Sequence, residues 1–246
     1  MVYTAVFGDN ALLMPQRFFA GVDFICFTEK PRKVKGWQFR IVPPPCGPDN
    51  VRNNRYYKLQ PHLHVPGYDH SIYIDGNFIV TDLPADRFSS LLEKADMLVF
   101  DHGQTATDAR SCVYQEYDAL MKRAKEGTAP DDPQVMEAQI AYIKSEGYPA
   151  DNGLLSGAVL IRKHNQPLVK KAMDMWWDMV KHRSRRDQLS FNFVAWKTGL
   201  VFAYLEGDIR RGNKWFYHAG KGDKHLWYIF LKYRIRKWLK RVTFFN

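Results

Sequence analysis

The chain has 246 residues, 46% of them hydrophobic and 15% aromatic, enough for one large core, and no low-complexity linker or fixed repeat divides it. Its formal charge of +10 is uneven: residues 221–246 carry eight Lys or Arg and one Asp, a net of +7, which leaves +3 for residues 1–220 and excludes a stripe of charge along the main body. Cys26, Cys46 and Cys112 are odd in number and widely spaced, which excludes a disulfide framework or zinc site and points to a reducing compartment, while the opening residues lack a signal-peptide pattern and no run is long enough to span a bilayer.

In chain order, short apolar runs predict strands at residues 3–7, 23–28, 38–42 and 72–74. Runs of this kind, apolar on both faces, belong to a mostly parallel sheet covered by helices. Residues 52–59 predict a helix ended before Pro61, and residues 112–125 another. Asp131-Asp132-Pro133 supplies an N-cap and a first-turn proline for a helix through residue 145. Residues 151–157 read as a loop feeding a strand at 158–162, followed by a helix at 167–182, a helix at 187–197 and a strand at 201–205. At the end, Trp227, Leu231, Ile235, Trp238 and Val242 recur at helical spacing, with Lys232, Arg236, Lys237, Lys240 and Arg241 largely on other faces. That pattern predicts a basic amphipathic helix over 223–246, suited either to an anionic membrane surface or to docking on its own domain. The expected class is α/β, with one domain over 1–222 and the tail helix beyond it.

The run Ile72-Tyr73-Ile74 stops abruptly at Asp75-Gly76-Asn77. Ligands of open α/β sheets collect beyond the carboxyl ends of the strands. There, Asp75 and Asn77 offer two oxygen ligands at i and i+2 to a hard cation such as Mg2+ or Mn2+. The same Asp-Gly, between Ile72-Tyr73-Ile74 and Phe78-Ile79-Val80, is also the strongest short-range signal for a type I′ hairpin. Both readings stand on the segment alone. Arg52, Arg55 and Lys58 fall on one helix face, turned either to phosphates or to solvent. Phe7 and Gly8, with Asp9, end the first strand where topology places a nucleotide base or ribose.

Taken together these segments resemble the nucleotide-sugar glycosyltransferases of the GT-A fold. Tyr73-Ile74-Asp75-Gly76-Asn77 is similar to the metal-holding Asp-Xaa-Asp motif of that fold, departing from it at Asn77. Asn53-Asn54-Arg55-Tyr56-Tyr57-Lys58-Leu59-Gln60-Pro61-His62, running into Tyr73-Ile74-Asp75-Gly76, resembles a family of glycosyltransferase-like domains found in bacteria and in plant cell-wall proteins. The segment from Asn152 through Ser156 and Gly157 to Leu160 is similar to a loop and strand of glycogenin-like transferases that lets the donor sugar approach the backbone; a plain turn before a core strand accounts for it too. Arg186-Asp187-Gln188 resembles their sugar-facing Asp-Gln pair, or is an ordinary helix start with a favourable acid. The segment from Tyr217 to Trp227 resembles the one with which those enzymes complete the metal site, so that His218 is a metal ligand and Lys221 or Lys224 grips the diphosphate; packing is the alternative for His218.

The resemblance implies a nucleotide-sugar donor, UDP-linked first of all, Mn2+ or Mg2+, a glycan or lipid-linked acceptor, and retention rather than inversion. Inversion would need a carboxylate base, for which Asp151 and Asp187 are candidates, then Glu116. The expected location is the cytoplasm, peripheral on the inner face of a membrane. Rival readings are a sugar nucleotidyltransferase, disfavoured because Phe7-Gly8-Asp9-Asn10-Ala11 is not a Gly-rich phosphate loop, a non-catalytic membrane- or nucleic-acid-binding module built on the tail, and a transferase that glycosylates nucleic acid.

Overall fold

The computed structural model describes residues 1–9, 11–211 and 213–219. In chain order the strands are β1 (Val2–Ala5), β2 (Phe24–Thr28), β3 (Gln38–Ile41), β4 (Ser71–Ile74), β5 (Phe78–Val80), β6 (Met97–Asp101), β7 (Leu155–Arg162), β8 (Phe202–Leu205) and β9 (Phe216–His218). The helices are α1 (Asn50–Leu59), α2 (Pro61–His64), α3 (Ala85–Lys94), α4 (Val113–Lys125), α5 (Pro133–Ser145), α6 (Pro167–His182) and α7 (Phe191–Thr198). Seven strands form one sheet in the order β3-β2-β1-β4-β7-β6-β8, and β5 and β9 form a second.

Strands β1 and β2 are buried at every residue, as continuous apolar runs require in a sheet covered on both sides. One layer packs Tyr3, Phe27, Tyr57, Leu160, Trp176 and Phe191 beneath the larger helices, and the other packs Val2, Phe24, Trp37, Phe88, Leu98 and Trp215 around α3 and the small sheet. Helix α6 buries Val169, Ala172, Met173, Trp176, Met179 and Val180, the three- and four-residue spacing that puts one stripe on the core. The expected cap of α5 is present: the Asp132 carboxylate accepts from the Gln134 amide at 2.9 Å, with Pro133 in the first turn.

Two features set the rim of the cleft described below. β4 runs parallel to β1, whereas β7 is antiparallel to both β4 and β6. The carboxyl ends of β1, β4 and β6 therefore meet the amino end of β7 at one edge. The register between β6 and β7 also slips at Val99/Phe100, and such irregularities re-aim side chains next to functional sites.

The structure corrects several expectations. Strand β7 starts at Leu155, so Ser156 and Gly157 are strand residues and the loop before them is shorter. Asp187–Leu189 is a separate 3-10 turn ahead of α7. Helix α3 and strand β6 occupy a stretch for which no element was expected. The Asp-Gly hairpin is absent: β4 is bonded on both edges, by β1 and β7, and β5 pairs with β9. Neither Asp75 nor Gly76 has the positive φ that a type I′ turn demands.

Candidate functional site

At that rim two adjoining cavities open, of about 200 and about 550 Å3. Arg55, Asp75, Asn77 and His218 line both and form their junction. The larger cavity has Ala5, Val6, Phe7, Leu12, Asn50 and Asn54 in its walls. The smaller is walled by Lys58, His102, Ser156, Gly157, Arg186, Asp187, Gln188 and Arg210.

Each junction residue has a structural cause. The backbone N–H of Asp75 donates to Ala158 of β7 at 2.8 Å, and its Oδ1 accepts the Tyr73 hydroxyl at 2.9 Å, since residues two apart on a strand share a face. Gly76 must be glycine because a Cβ there would lie 2.3 Å from the Leu12 carbonyl oxygen. Pairing of β5 with β9 sets Phe78 opposite His218 and brings Asn77 Nδ2 to 3.0 Å from His218 Nε2. One carboxylate, one amide and one imidazole thus converge. Among the described residues no group of three His, Cys, Asp or Glu gathers, so a cation here would rest on this mixed set. Carboxylate and amide oxygens with an imidazole suit Mn2+, and the oxygens suit Mg2+; the donor set fits such an ion, with one charge fewer than paired carboxylates would supply.

Two buried ion clusters reach the smaller cavity, the first through Arg55, Lys58 and Asp187 and the second through Arg186. Lys58 Nζ lies 2.5 Å and Arg55 Nε 3.1 Å from Asp187 Oδ2. Burial alone would raise the Asp187 carboxyl, but the neighbouring Arg55 and Lys58 charges outweigh it and hold that carboxyl well below the usual range. In the second cluster Glu116 is fully buried and accepts from Arg110 Nε at 2.7 Å and Arg186 Nε at 3.0 Å. Burial again pushes the carboxyl up, and the two guanidiniums bring it below its ordinary value. Arg186 also bonds the Gln188 side-chain oxygen, whose amide donates to the Leu155 carbonyl at 2.8 Å.

Residues 26–204 match the model of the TOD1/MUCI70 glycosyltransferase-like domain. The chain belongs to that family. No curated protein matches the sequence. Three solved structures are similar to it at low identity. The apo form of mouse xyloside xylosyltransferase 1 is 12% identical, covering 92% of this chain and 98% of that one with a TM-score of 0.48. The WbbM bifunctional glycosyltransferase is 9% identical over 80% of this chain and 39% of that one, TM-score 0.42. The mannosyltransferase Ktr4p from S. cerevisiae is 10% identical over 82% and 66%, TM-score 0.40. Membership agrees with the resemblance read from Asn53–His62 and Asp75: the chain is a glycosyltransferase-like domain of α/β architecture.

Of the residues singled out in the sequence, this TOD1/MUCI70 domain brings Phe7, Arg55, Lys58, Asp75, Gly76, Asn77, Ser156, Gly157, Asp187, Gln188 and His218 to the two cavities. Gly8 sits just outside, with φ +83 and its N–H donating to Glu29 Oε1 at 2.9 Å. Asp151 is exposed in the turn before β7, at φ +55, and lines neither cavity, so the expectation of a base there is withdrawn. Asn152 is likewise exposed, and its amide donates to the Tyr148 hydroxyl at 3.3 Å. Arg52 turns away from the cleft. Its guanidinium donates to the Val180 and Arg183 carbonyls at 3.0 and 2.8 Å, where the carboxyl end of α6 leaves acceptors without helical partners. Lys221, Lys224 and the helix expected over 223–246 lie outside the described residues.

The sequence reading missed His102, Arg110 and Arg210. A signal for His102 exists: Met97-Leu98-Val99-Phe100 is a second apolar run that stops at polar residues, Asp101-His102, the same pattern that marked Asp75.

Proposed function

We propose that this chain transfers a sugar from a nucleoside diphosphate donor, UDP-linked first of all, to a glycan or lipid-linked acceptor. The observation that carries the reading is the two-part cleft with Arg55, Asp75, Asn77 and His218 at its junction. A nucleoside suits the larger cavity beside Phe7, a sugar suits the smaller polar one, and the diphosphate between them meets the junction. Bound to Asp75, Asn77 and His218, a divalent cation, Mn2+ or Mg2+, would neutralise the diphosphate and make it a better leaving group. Arg55 adds a guanidinium, whose fork matches phosphate oxygens, and Lys58 adds a buried ammonium nearby.

In the reaction the bond from the anomeric carbon to the diphosphate oxygen breaks with its electron pair, and a bond to the acceptor oxygen forms. That acceptor loses a proton. Asp187 and Glu116 are each held by two cations, which makes both weak bases. The departing diphosphate is then the better proton acceptor, and this supports retention. The tail supports a second part of the proposal, that seven net charges interleaved with Trp and Phe hold the domain at an anionic membrane surface. Among the described residues no helix is long and apolar enough to cross a membrane.

Binding and hydrolysis of UDP-, GDP-, CMP- and dTDP-sugars with and without Mn2+ test the first part. Metal-dependent turnover of one donor, lost in Asp75→Ala, is expected. No nucleotide binding, with Asp75→Ala changing only stability, would overturn it. For the tail, the chain should cosediment with anionic vesicles and not with neutral ones; equal binding to both, or to neither, would end the membrane reading.

A further inference from the structure

Outside the tail, the positive excess of the chain sits in one segment. Residues 16–40 carry six Lys or Arg and two acids, a net of +4, against +3 for residues 1–220 as a whole, so the rest of the body is slightly acidic. Two loops are locked together within that segment. The Gln16 N–H donates to the Lys35 carbonyl at 3.0 Å, and a Cβ on Gly36, at φ +86, would lie 2.3 Å from the Gln16 carbonyl oxygen. Only glycine allows the approach. Gln16 is buried and anchors the junction to β5, its amide donating to the Phe78 carbonyl at 2.8 Å and its side-chain oxygen accepting the Val80 N–H at 2.9 Å.

Just beyond this junction Phe18 is 88% exposed, while the next residue, Phe19, stacks on Phe24. Fixed by Gln16 on one side and Phe19 on the other, Phe18 is held in the solvent. Single exposed apolar residues are ordinary on a protein surface; this one is set apart by its company. Lys33 and Lys35, on the other loop, are exposed and engage no acid among the described residues. Phe18 and Lys33 each lie two residues from the Gln16–Lys35 contact, at most about 7 Å of chain, so the ring and the two ammonium groups belong to one patch. Other cations of the segment are already committed. Lys30 pairs with Asp9, and Arg32 donates to the Gly8 and Ala11 carbonyls at 2.6 and 3.3 Å. Ala11 is in the wall of the larger cavity, so the patch adjoins the cleft.

We propose that this patch is a second contact with an anionic membrane, made by the folded domain itself, in which Phe18 enters the interface and Lys33 and Lys35 meet lipid phosphates. A ring that enters the headgroup region leaves water, and lysines beside it are drawn to the negative surface. A soluble polyanion would use the lysines and leave the ring in water, so the pairing of the two favours lipid. The inference extends the membrane part of the proposed function and does not depend on the tail. With the tail it makes attachment two-point, so that the second contact forms within one molecule, and it sets the larger cavity close to the lipid surface.

The test compares the full chain with Phe18→Ser and with the double variant Lys33→Gln/Lys35→Gln. Partition is measured onto phosphatidylcholine vesicles with and without phosphatidylglycerol, and heparin serves as the soluble polyanion. Phe18→Ser is expected to lower partition onto the anionic vesicles about 10-fold and the double variant about 25-fold, both with the melting temperature of the parent. Heparin binding should be unchanged in Phe18→Ser. Hydrogen exchange of the parent should slow over residues 17–21 and 32–36 when anionic vesicles are added. Variants that partition like the parent would overturn this inference and leave the tail reading standing. A double variant weakened on vesicles and heparin alike, beside an unaffected Phe18→Ser, would make the patch a polyanion site and overturn it too. If the parent binds no vesicles, both membrane readings fall.

Discussion

Two carboxylates line the same small cavity and both feel the charges of Arg55 and Lys58, but only one is bonded to them. Asp75 accepts one neutral hydroxyl, from Tyr73 at 2.9 Å, and its other oxygen takes no hydrogen bond among the described residues. Asp187 lies 2.5 Å from an ammonium and 3.1 Å from a guanidinium, with 3% of its side chain exposed. A carboxylate between two buried cations already has the counter-charge it needs, and it organises Lys58 and Arg55 rather than binding anything new. One at a strand end with an unengaged oxygen can still take a cation. Residue type does not separate the two acids; their partners do.

The largest effect that would test this contrast is on stability. Asp187→Ala leaves Lys58, 1% exposed, without its counter-ion and is expected to cost about 3–5 kcal/mol in denaturant unfolding. A variant as stable as the parent would show that the ion pair is not structural. Asp75→Ala should do the reverse. Its barrier to donor turnover should rise by about 2.7–4 kcal/mol, with a melting temperature close to that of the parent, and early melting would erase the distinction. Tyr73→Phe removes the hydroxyl that orients Asp75, so Mn2+ affinity measured by titration should fall about 10-fold for a folding cost of about 1 kcal/mol. Gly157→Ala sets a Cβ 3.3 Å from Lys58 Nζ and 3.5 Å from Asp187 Oδ2. Because the ammonium has little room to move, kcat/KM should drop by a factor of about 3–10, from a shift costing about 1 kcal/mol.

The smallest expected effect lies outside the cleft and extends the comparison to groups with no counter-charge. Burial pushes His64 and His164 down to about 4 from the ordinary 6.5. The unfolded chain therefore binds their protons first as the pH falls. Their contribution is present in full above about pH 6.5 and is lost progressively toward pH 4. Melting temperatures between pH 7 and 4.5 should decline, and a variant with His164→Gln should decline less steeply. An identical slope in both would remove His164 from this account.

Much of the frame was legible because its signals are local. The buried runs of β1, β2 and β4, the Asp132-Pro133 start of α5 and the acid that ends β4 each follow from a few consecutive residues. Segments left open by the sequence were those where local chemistry permits two outcomes. Asp75-Gly76 can turn a hairpin or end a strand, and the choice was made by β1 and β7, which occupy both edges of β4 and leave none for β5. Arg52, Arg55 and Lys58 share a helix face, yet the carboxyl end of α6 captured the first while Asp187 captured the other two.

By itself the sequence determined that the chain is α/β, that an acid stands at the end of β4, and which residues around Arg55 and Lys58 accompany it, because strand burial, helix spacing and capping act over a few residues. Only the tertiary structure decided that His218 meets Asn77 across 141 positions, and that Asp151 stays outside the smaller cavity while His102 lines it. Those outcomes depend on strand register and on which charges share a buried space, and both are properties of contacts between segments distant in the chain.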